Sequence, residues 1–387
     1  MHIIEKITAH LENRPAELKR LKAQGRKVIG YFPGDYVPEE IIYASGAIPV
    51  CLCQGGNPRP VGAALSVTTR FICPFARALI GDRLLGEQPF YNLVDMLVAP
   101  VTCQHLRRAA DIWQHHSGLP VFRLGVPMEN NEQGLKYYRD RLNDLNNQLQ
   151  VFTGQAVTDE SLWKAIGLYN TLRSLLKRIS LLRKNSSPAI STIDFIKLNH
   201  ASFYADPVFM VELLSSLSKE LEQSVNEDEK GDNLRLLITG PNIAFGDYKV
   251  LEIANELGAQ VVAEEFFEGI RYYWGNVEQG GSPVEALANR YFANKVPNGV
   301  MPAAASGRYD FIAGLAKEFQ VDGIIWYQLL FCETYDIESY YFAHKMKQLS
   351  IPVLKIQSDY DVLDRGSIKT RIEAFVEMLK REQASGS

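Results

Sequence analysis

Lys27-Val28-Ile29-Gly30-Tyr31 reads as a short buried strand, and Arg235-Leu236-Leu237-Ile238-Thr239 reads as a second one. The same grammar succeeds each. After Tyr31 come a Pro33-Gly34 turn, a helix opening at Pro38-Glu39-Glu40, the pair Gly46-Ala47, and a strand from Ile48 to Cys53. After Thr239 come Gly240-Pro241, a helical stretch from about Tyr248, the pair Gly258-Ala259, and Val261-Val262. Each run spells a βαβ unit. The parallel continues downstream, where Val94-Asp95-Met96-Leu97-Val98 leads to Cys103, a helix and a strand beginning Pro120-Val121. Its counterpart is Val321-Asp322-Gly323-Ile324-Ile325, leading to Cys332, a helix and a strand beginning Pro352-Val353.

The offsets match closely. Asp95 to Cys103 is 8 residues and Asp322 to Cys332 is 10; Cys103 to Pro120 is 17 and Cys332 to Pro352 is 20. The chain therefore reads as two copies of one α/β domain, each a parallel sheet covered by helices on both faces, because crossovers between parallel strands are right-handed. A single core stops growing near roughly 250–300 residues, so 387 residues also call for division. The expected layout is an N-terminal helix plus first α/β domain over 1–130, a helical insert over 131–232, a second α/β domain over 233–383, and a linker-like tail at 384–387. Within the insert, Thr158-Asp159-Glu160-Ser161 starts a helix, and Leu162 to Leu182 repeats apolar residues at three and four. Asn226 to Asn233, rich in Asp, Glu and Asn, is the expected exposed linker.

Composition excludes several classes. With 41 basic against 45 acidic side chains, a net charge of -4 and no long basic run, no electrostatic footprint for a nucleic acid exists. No stretch approaches about 20 uninterrupted apolar residues, and Met1-His2-Ile3-Ile4-Glu5-Lys6 lacks a signal-peptide layout. The expectation is a cytoplasmic protein without membrane contact. Cys51, Cys53, Cys73, Cys103 and Cys332 are an odd, scattered set, unlike a disulfide framework, so reduced thiols are expected.

In open parallel sheets, ligands bind beyond the carboxyl ends of the strands. Cys103 and Cys332 both fall there, one per domain, and Cys73, followed by Pro74, sits where an N-cap belongs. Helix N-termini favour a thiolate. A single free cysteine is more often core filler than ligand; the matched positions of Cys103 and Cys332 set them apart. Cys51 and Cys53 alternate along a strand and point to one side, with Cys53 nearer the cleft and Cys51 packing. Three thiols without a C-x-x-C pair do not close a zinc site. His105 and His115-His116 read as ordinary surface or helix-end residues. An iron–sulfur cluster on three thiolates is chemically different, because one iron stays open to water or substrate.

At these residues the sequence resembles the family of 2-hydroxyacyl-CoA dehydratase and benzoyl-CoA reductase subunits, which also contains the double-cubane-cluster proteins. The matching stretches are Arg26 to Pro33, Val37 to Val50, Ile72-Cys73-Pro74, Val101-Thr102-Cys103, Thr239-Gly240-Pro241, Gly269 to Trp274, Phe331-Cys332-Glu333, and Asp359 to Glu377. Together they span nearly the whole chain in order. The resemblance implies two flavodoxin-like (Rossmann-like) domains holding a [4Fe-4S] cluster on Cys73, Cys103 and Cys332, with Cys53 as a candidate fourth ligand. It implies a homologous subunit as dimer partner, hetero- or homodimeric. It also implies a separate ATP-dependent activator that carries an iron–sulfur cluster and injects one low-potential electron. This chain has no G-x-x-x-x-G-K-[ST] loop of its own.

In the dehydratase branch the electron reaches an acyl-CoA thioester as a ketyl radical, which expels the 2-hydroxyl. In the reductase branch it stays in the product. Radical dehydration of a 2-hydroxyacyl-CoA is the expected function. The alternatives are a low-potential reductase of the benzoyl-CoA reductase or double-cubane type, and a non-catalytic partner subunit. Double-cubane members carry extra cysteines where this chain has Phe32, Pro241 and Phe266-Phe267, which argues against that cluster.

Glu40 lies in a first helical turn, where a carboxylate ordinarily serves backbone donors and the dipole. Near a cluster it would orient a hydroxyl or transfer a proton. Tyr36 is a further candidate for a proton or hydrogen bond, and Arg271 for a CoA phosphate or carboxylate. Tyr272-Tyr273-Trp274 reads as core or interface.

Overall fold

A computed structural model describes residues 3–185, 190–224, 233–295 and 305–386. Of the expected linker from Asn226 to Asn233, all but Asn233 lies outside the described residues. Eight strands form two sheets of four: β1 (Val28–Tyr31), β2 (Ile48–Cys51), β3 (Met96–Val101) and β4 (Val121–Gly125), then β5 (Leu234–Thr239), β6 (Ala259–Glu265), β7 (Gly323–Leu329) and β8 (Val353–Ser358). The orders are β2-β1-β3-β4 and β6-β5-β7-β8, and every pairing is parallel. This is the flavodoxin-like, doubly wound arrangement in both halves, and β1, β2, β5 and β7 are buried along their whole length.

The duplication extends to single hydrogen bonds. Asp95 accepts from the Val28 N–H at 2.8 Å, and Asp322 accepts from the Arg235 N–H at 2.7 Å. Each aspartate's own N–H returns to the carbonyl of the same partner, at 2.8 Å in both copies. One carboxylate thus pins the start of the central strand in each sheet, which is why a Val-Asp pair precedes β3 and β7. Gly46 and Gly258 match likewise. Both have positive φ, +75° and +73°, so the chain turns out of a helix where an L side chain would be strained.

The N-terminal helix, Ile3–Ala23, packs Ile7 and Leu18 inward. Helices Glu132–Thr153, Asp159–Leu181, Thr192–Ala201 and Pro207–Ser224 form the insert, and Thr158 opens the second of them with a capping box to Ser161. The last helix, Arg365–Gly386, runs on through the expected tail. Strand β2 ends at Cys51, two residues short of the sequence reading. Beyond it the chain leaves its own sheet and reaches the other domain: the Phe245 N–H donates to the Cys53 carbonyl at 2.8 Å, and Gln54 bridges Phe245. No described helix is long and apolar enough to cross a membrane.

Candidate functional site

Three helices begin at cysteine. Cys73 caps Pro74–Leu85, Cys103 caps Gln104–Ser117 and Cys332 caps Glu333–Gln348. Proline at the first position suits the first of these, since its missing N–H is an orphan there anyway. The Cys103 sulfur accepts from the Leu106 N–H at 3.4 Å. Phe331 holds a φ of +62°, a strained value for an aromatic residue, directly before Cys332. Its ring meets Phe71 of the first domain edge-on at 5.7 Å.

All three cysteines line one cleft of ≈ 440 Å³ between the domains. Phe75, Val101, Val126, Met128 and Phe267 give it apolar walls; His105, Asn242 and Glu333 add polar groups. His105, read as an ordinary residue, ties the set together: its Nδ1 accepts from the Cys73 N–H at 3.2 Å. Burial lowers the basicity of that ring.

Burial raises all three thiols, against the expectation from helix N-termini. Burial pushes the Cys73 thiol up to about 12, Cys103 adds to it, and backbone N–H groups only partly oppose the rise. Cys332 is raised by burial and then by Cys73 and Cys103, so the three sense one another. A bound cation reverses this balance, because a coordinating thiol loses its proton outright. Among the described residues no group of three His, Cys, Asp or Glu gathers around one point as a single metal ion requires. A multi-iron cluster spreads its thiolates over separate irons, and three sulfurs facing a shared cleft fit that demand.

The remaining candidates fall elsewhere. Cys53 is fully buried, its sulfur 3.5 Å from the Tyr204 hydroxyl and outside the cleft lining. The cause is the departure of the chain after Cys51 toward Phe245. Glu40 is buried too, bound to Arg173 at 2.8 Å and to the Tyr291 hydroxyl at 2.8 Å, so it clamps the insert to the first domain. Tyr36 is buried beneath the Lys295 ammonium, 3.5 Å from the ring centroid, and its carbonyl accepts from Tyr138. Arg271 is buried against Glu265, with further bonds to the Tyr335 hydroxyl at 2.9 Å and the Gly240 carbonyl at 2.8 Å. Burial alone would raise the Glu265 carboxyl; Arg271 and Arg308 override it and hold it at about 2. Arg271 borders a separate cavity of ≈ 310 Å³, but its donors are turned to protein acceptors.

Sequence reading missed Glu39. Its carboxylate accepts from the Tyr31 hydroxyl at 2.5 Å and the Tyr272 hydroxyl at 2.8 Å. It lines a small inner chamber with Cys51, Glu268 and Tyr272. Burial lifts Glu39 to about 7, the two tyrosines opposing. Glu268 was missed as well; the signal was a third acid, after Glu264 and Glu265, set between Phe267 and Gly269.

Two parallel α/β domains thus bring three cysteines, each at a helix N-terminus, to one cleft. The family described as 2-hydroxyglutaryl-CoA dehydratase, D-component, matches residues 35–379, and the chain belongs to that family. It is 27% identical to the putative dehydratase subunit YjiM of Escherichia coli (strain K12), over 93% of both chains. It is 25% identical to the beta subunit of (R)-2-hydroxyglutaryl-CoA dehydratase of Acidaminococcus fermentans, over 94% of this chain and 95% of that one. It is 24% identical to a subunit of the benzoyl-CoA reductase of Thauera aromatica, over 92% and 91%.

Proposed function

We propose that this chain is the iron–sulfur subunit of an ATP-activated radical enzyme that dehydrates a 2-hydroxyacyl-CoA, with a [4Fe-4S] cluster on Cys73, Cys103 and Cys332. The observation that carries the reading is the meeting of three thiols, from both α/β domains, at three helix N-termini in one cleft. Such a cluster, once bound, supplies a low-potential electron and an iron open to an oxygen ligand. The chain's own part is to orient and enclose. The helix N-termini stabilise the negative charge of thiolates. The apolar walls exclude water, and the Phe71–Phe331 pair joins the domains beside Cys332.

Relatives named as subunits of a dehydratase and of a reductase support a homologous subunit as partner. A separate ATP-hydrolysing activator completes the reading, since this sequence has no phosphate-binding loop. The test is iron and acid-labile sulfide content of anaerobically purified protein, followed by assay with activator and 2-hydroxyacyl-CoA. About four of each per chain are expected, with Cys103→Ala abolishing both cluster and activity. A Cys103→Ala complex with full activity overturns the assignment. The likeness to a benzoyl-CoA reductase subunit keeps reduction as the second reading. Product analysis separates them: dehydration leaves the redox balance unchanged, whereas reduction consumes electrons stoichiometrically.

A further inference from the structure

Buried glutamates in this protein are held in two different ways. Glu40, Glu264 and Glu265 each face an arginine, namely Arg173, Arg183 and Arg271 with Arg308. Glu39 and Glu268 line the inner chamber with no salt-bridge partner among the described residues. Glu39 belongs to the first α/β domain and Glu268 to the second, so the chamber is lined by an acid from each. Glu268 is 1% exposed; its Oε2 accepts from the Ile243 N–H at 3.2 Å, and its Oε1 has no hydrogen-bond partner among the described residues. Pro33 and Phe267 are walls of both the chamber and the thiol cleft, so the two spaces adjoin. The chamber, at ≈ 20 Å³, exceeds the roughly 10–15 Å³ that one water requires.

We propose that Glu268 and Glu39, lining one chamber from the two domains, form a proton-holding pair that serves the reaction in the adjoining cleft. The inference rests on the dehydratase reading. Loss of water from a 2-hydroxyacyl thioester removes hydroxide from C2 and a proton from C3. One acid of the pair gives its proton to the departing hydroxide, forming water, and as a carboxylate then takes the C3 proton, so the pair ends as it began and transfers no electrons. An acid buried with no salt bridge is pushed toward its neutral form, which is the form that can donate. Burial raises Glu268 to about 8 and Glu39 to about 7. The groups around Glu268 are Arg271, Asp247 and Tyr360; those around Glu39 are Tyr31, Tyr169, Tyr272, Tyr291, Glu40 and Arg173. The Cys51 thiol senses both acids.

Glu268→Gln and Glu39→Gln test this, the amides keeping size and hydrogen bonding. Infrared difference spectra of the protein alone, recorded while pH is raised through 7 and 8, are expected to show two neutral carboxyl bands disappearing, one absent from each variant. In the loaded complex with activator and 2-hydroxyacyl-CoA in D2O, Glu268→Gln is expected to retain iron. Dehydration and C3 deuterium exchange both fall by at least ~100-fold. Wild-type exchange in Glu268→Gln, or no carboxyl titrating in that range, overturns the proposal. A wild-type complex that dehydrates nothing overturns instead the functional reading, and the infrared arm still reports whether Glu268 is held neutral.

Discussion

Glu40 and Glu39 are adjacent and both buried but held differently, Glu40 by Arg173 and the Tyr291 hydroxyl, Glu39 by the Tyr31 and Tyr272 hydroxyls. Removing Arg173 strands the Glu40 charge in the interior, so Arg173→Ala is expected to cost ~3–5 kcal/mol, read as a shift in the urea midpoint. The Glu39 and Glu268 carboxyls have folded pKa values raised above the ordinary 4.5, to about 7 and about 8. Between those limits the folded state binds more protons than the unfolded one, so stability falls as pH rises from about 4.5 to 8. Denaturant titrations of the Glu39→Gln, Glu268→Gln double variant are expected to lose that slope; an unchanged slope assigns it to other groups. At this scale the sequence was half legible. Chemistry-bearing residue types were visible, but which of two adjacent glutamates enters the chamber depends on a helix rotation of about 100° per residue and on tyrosines over 200 positions away.

At the scale of elements, a cysteine's direction is set by the helix it caps and by what that helix rests on. The helix Pro74–Leu85 crosses Pro58–Ala63 so closely that a Cβ on Gly81 would lie 1.8 Å from the Pro60 carbonyl oxygen. Gly81→Ala is therefore expected to destabilise by ~1–3 kcal/mol and, by displacing Cys73, to lower iron uptake. Gly167→Ala is the control. It lies within Asp159–Leu181 with nothing near its missing Cβ, and alanine there is expected to add about 0.5–1 kcal/mol. Thermal melts of the two variants compare directly. The strands β1, β5 and β7 were readable as apolar runs because both faces of a parallel sheet are buried. The end of β2 was not, because the Gln54–Phe245 bridge that redirects the chain is a contact between segments about 190 positions apart.

Across the whole molecule, Cys73 and Cys103 belong to the first domain and Cys332 to the second, so a ligand held by all three ties the halves together. Loading with iron and sulfide is expected to raise the melting temperature of the full chain, and Cys332→Ala to abolish the rise while leaving the metal-free melt near wild type. Domain duplication was plain from spacing, since Asp95 and Asp322, Cys103 and Cys332, recur at similar offsets. The packing of the insert against both halves was not, because Arg173 meets Glu40 across 133 positions with no local signature. Cys73 has no copy in the second half, where the segment between β6 and β7 holds no cysteine. A cleft between two equivalent halves has a dyad, and a dyad presents a guest with two indistinguishable orientations. The single unmatched thiol removes that degeneracy, so a guest held by all three cysteines has one way round.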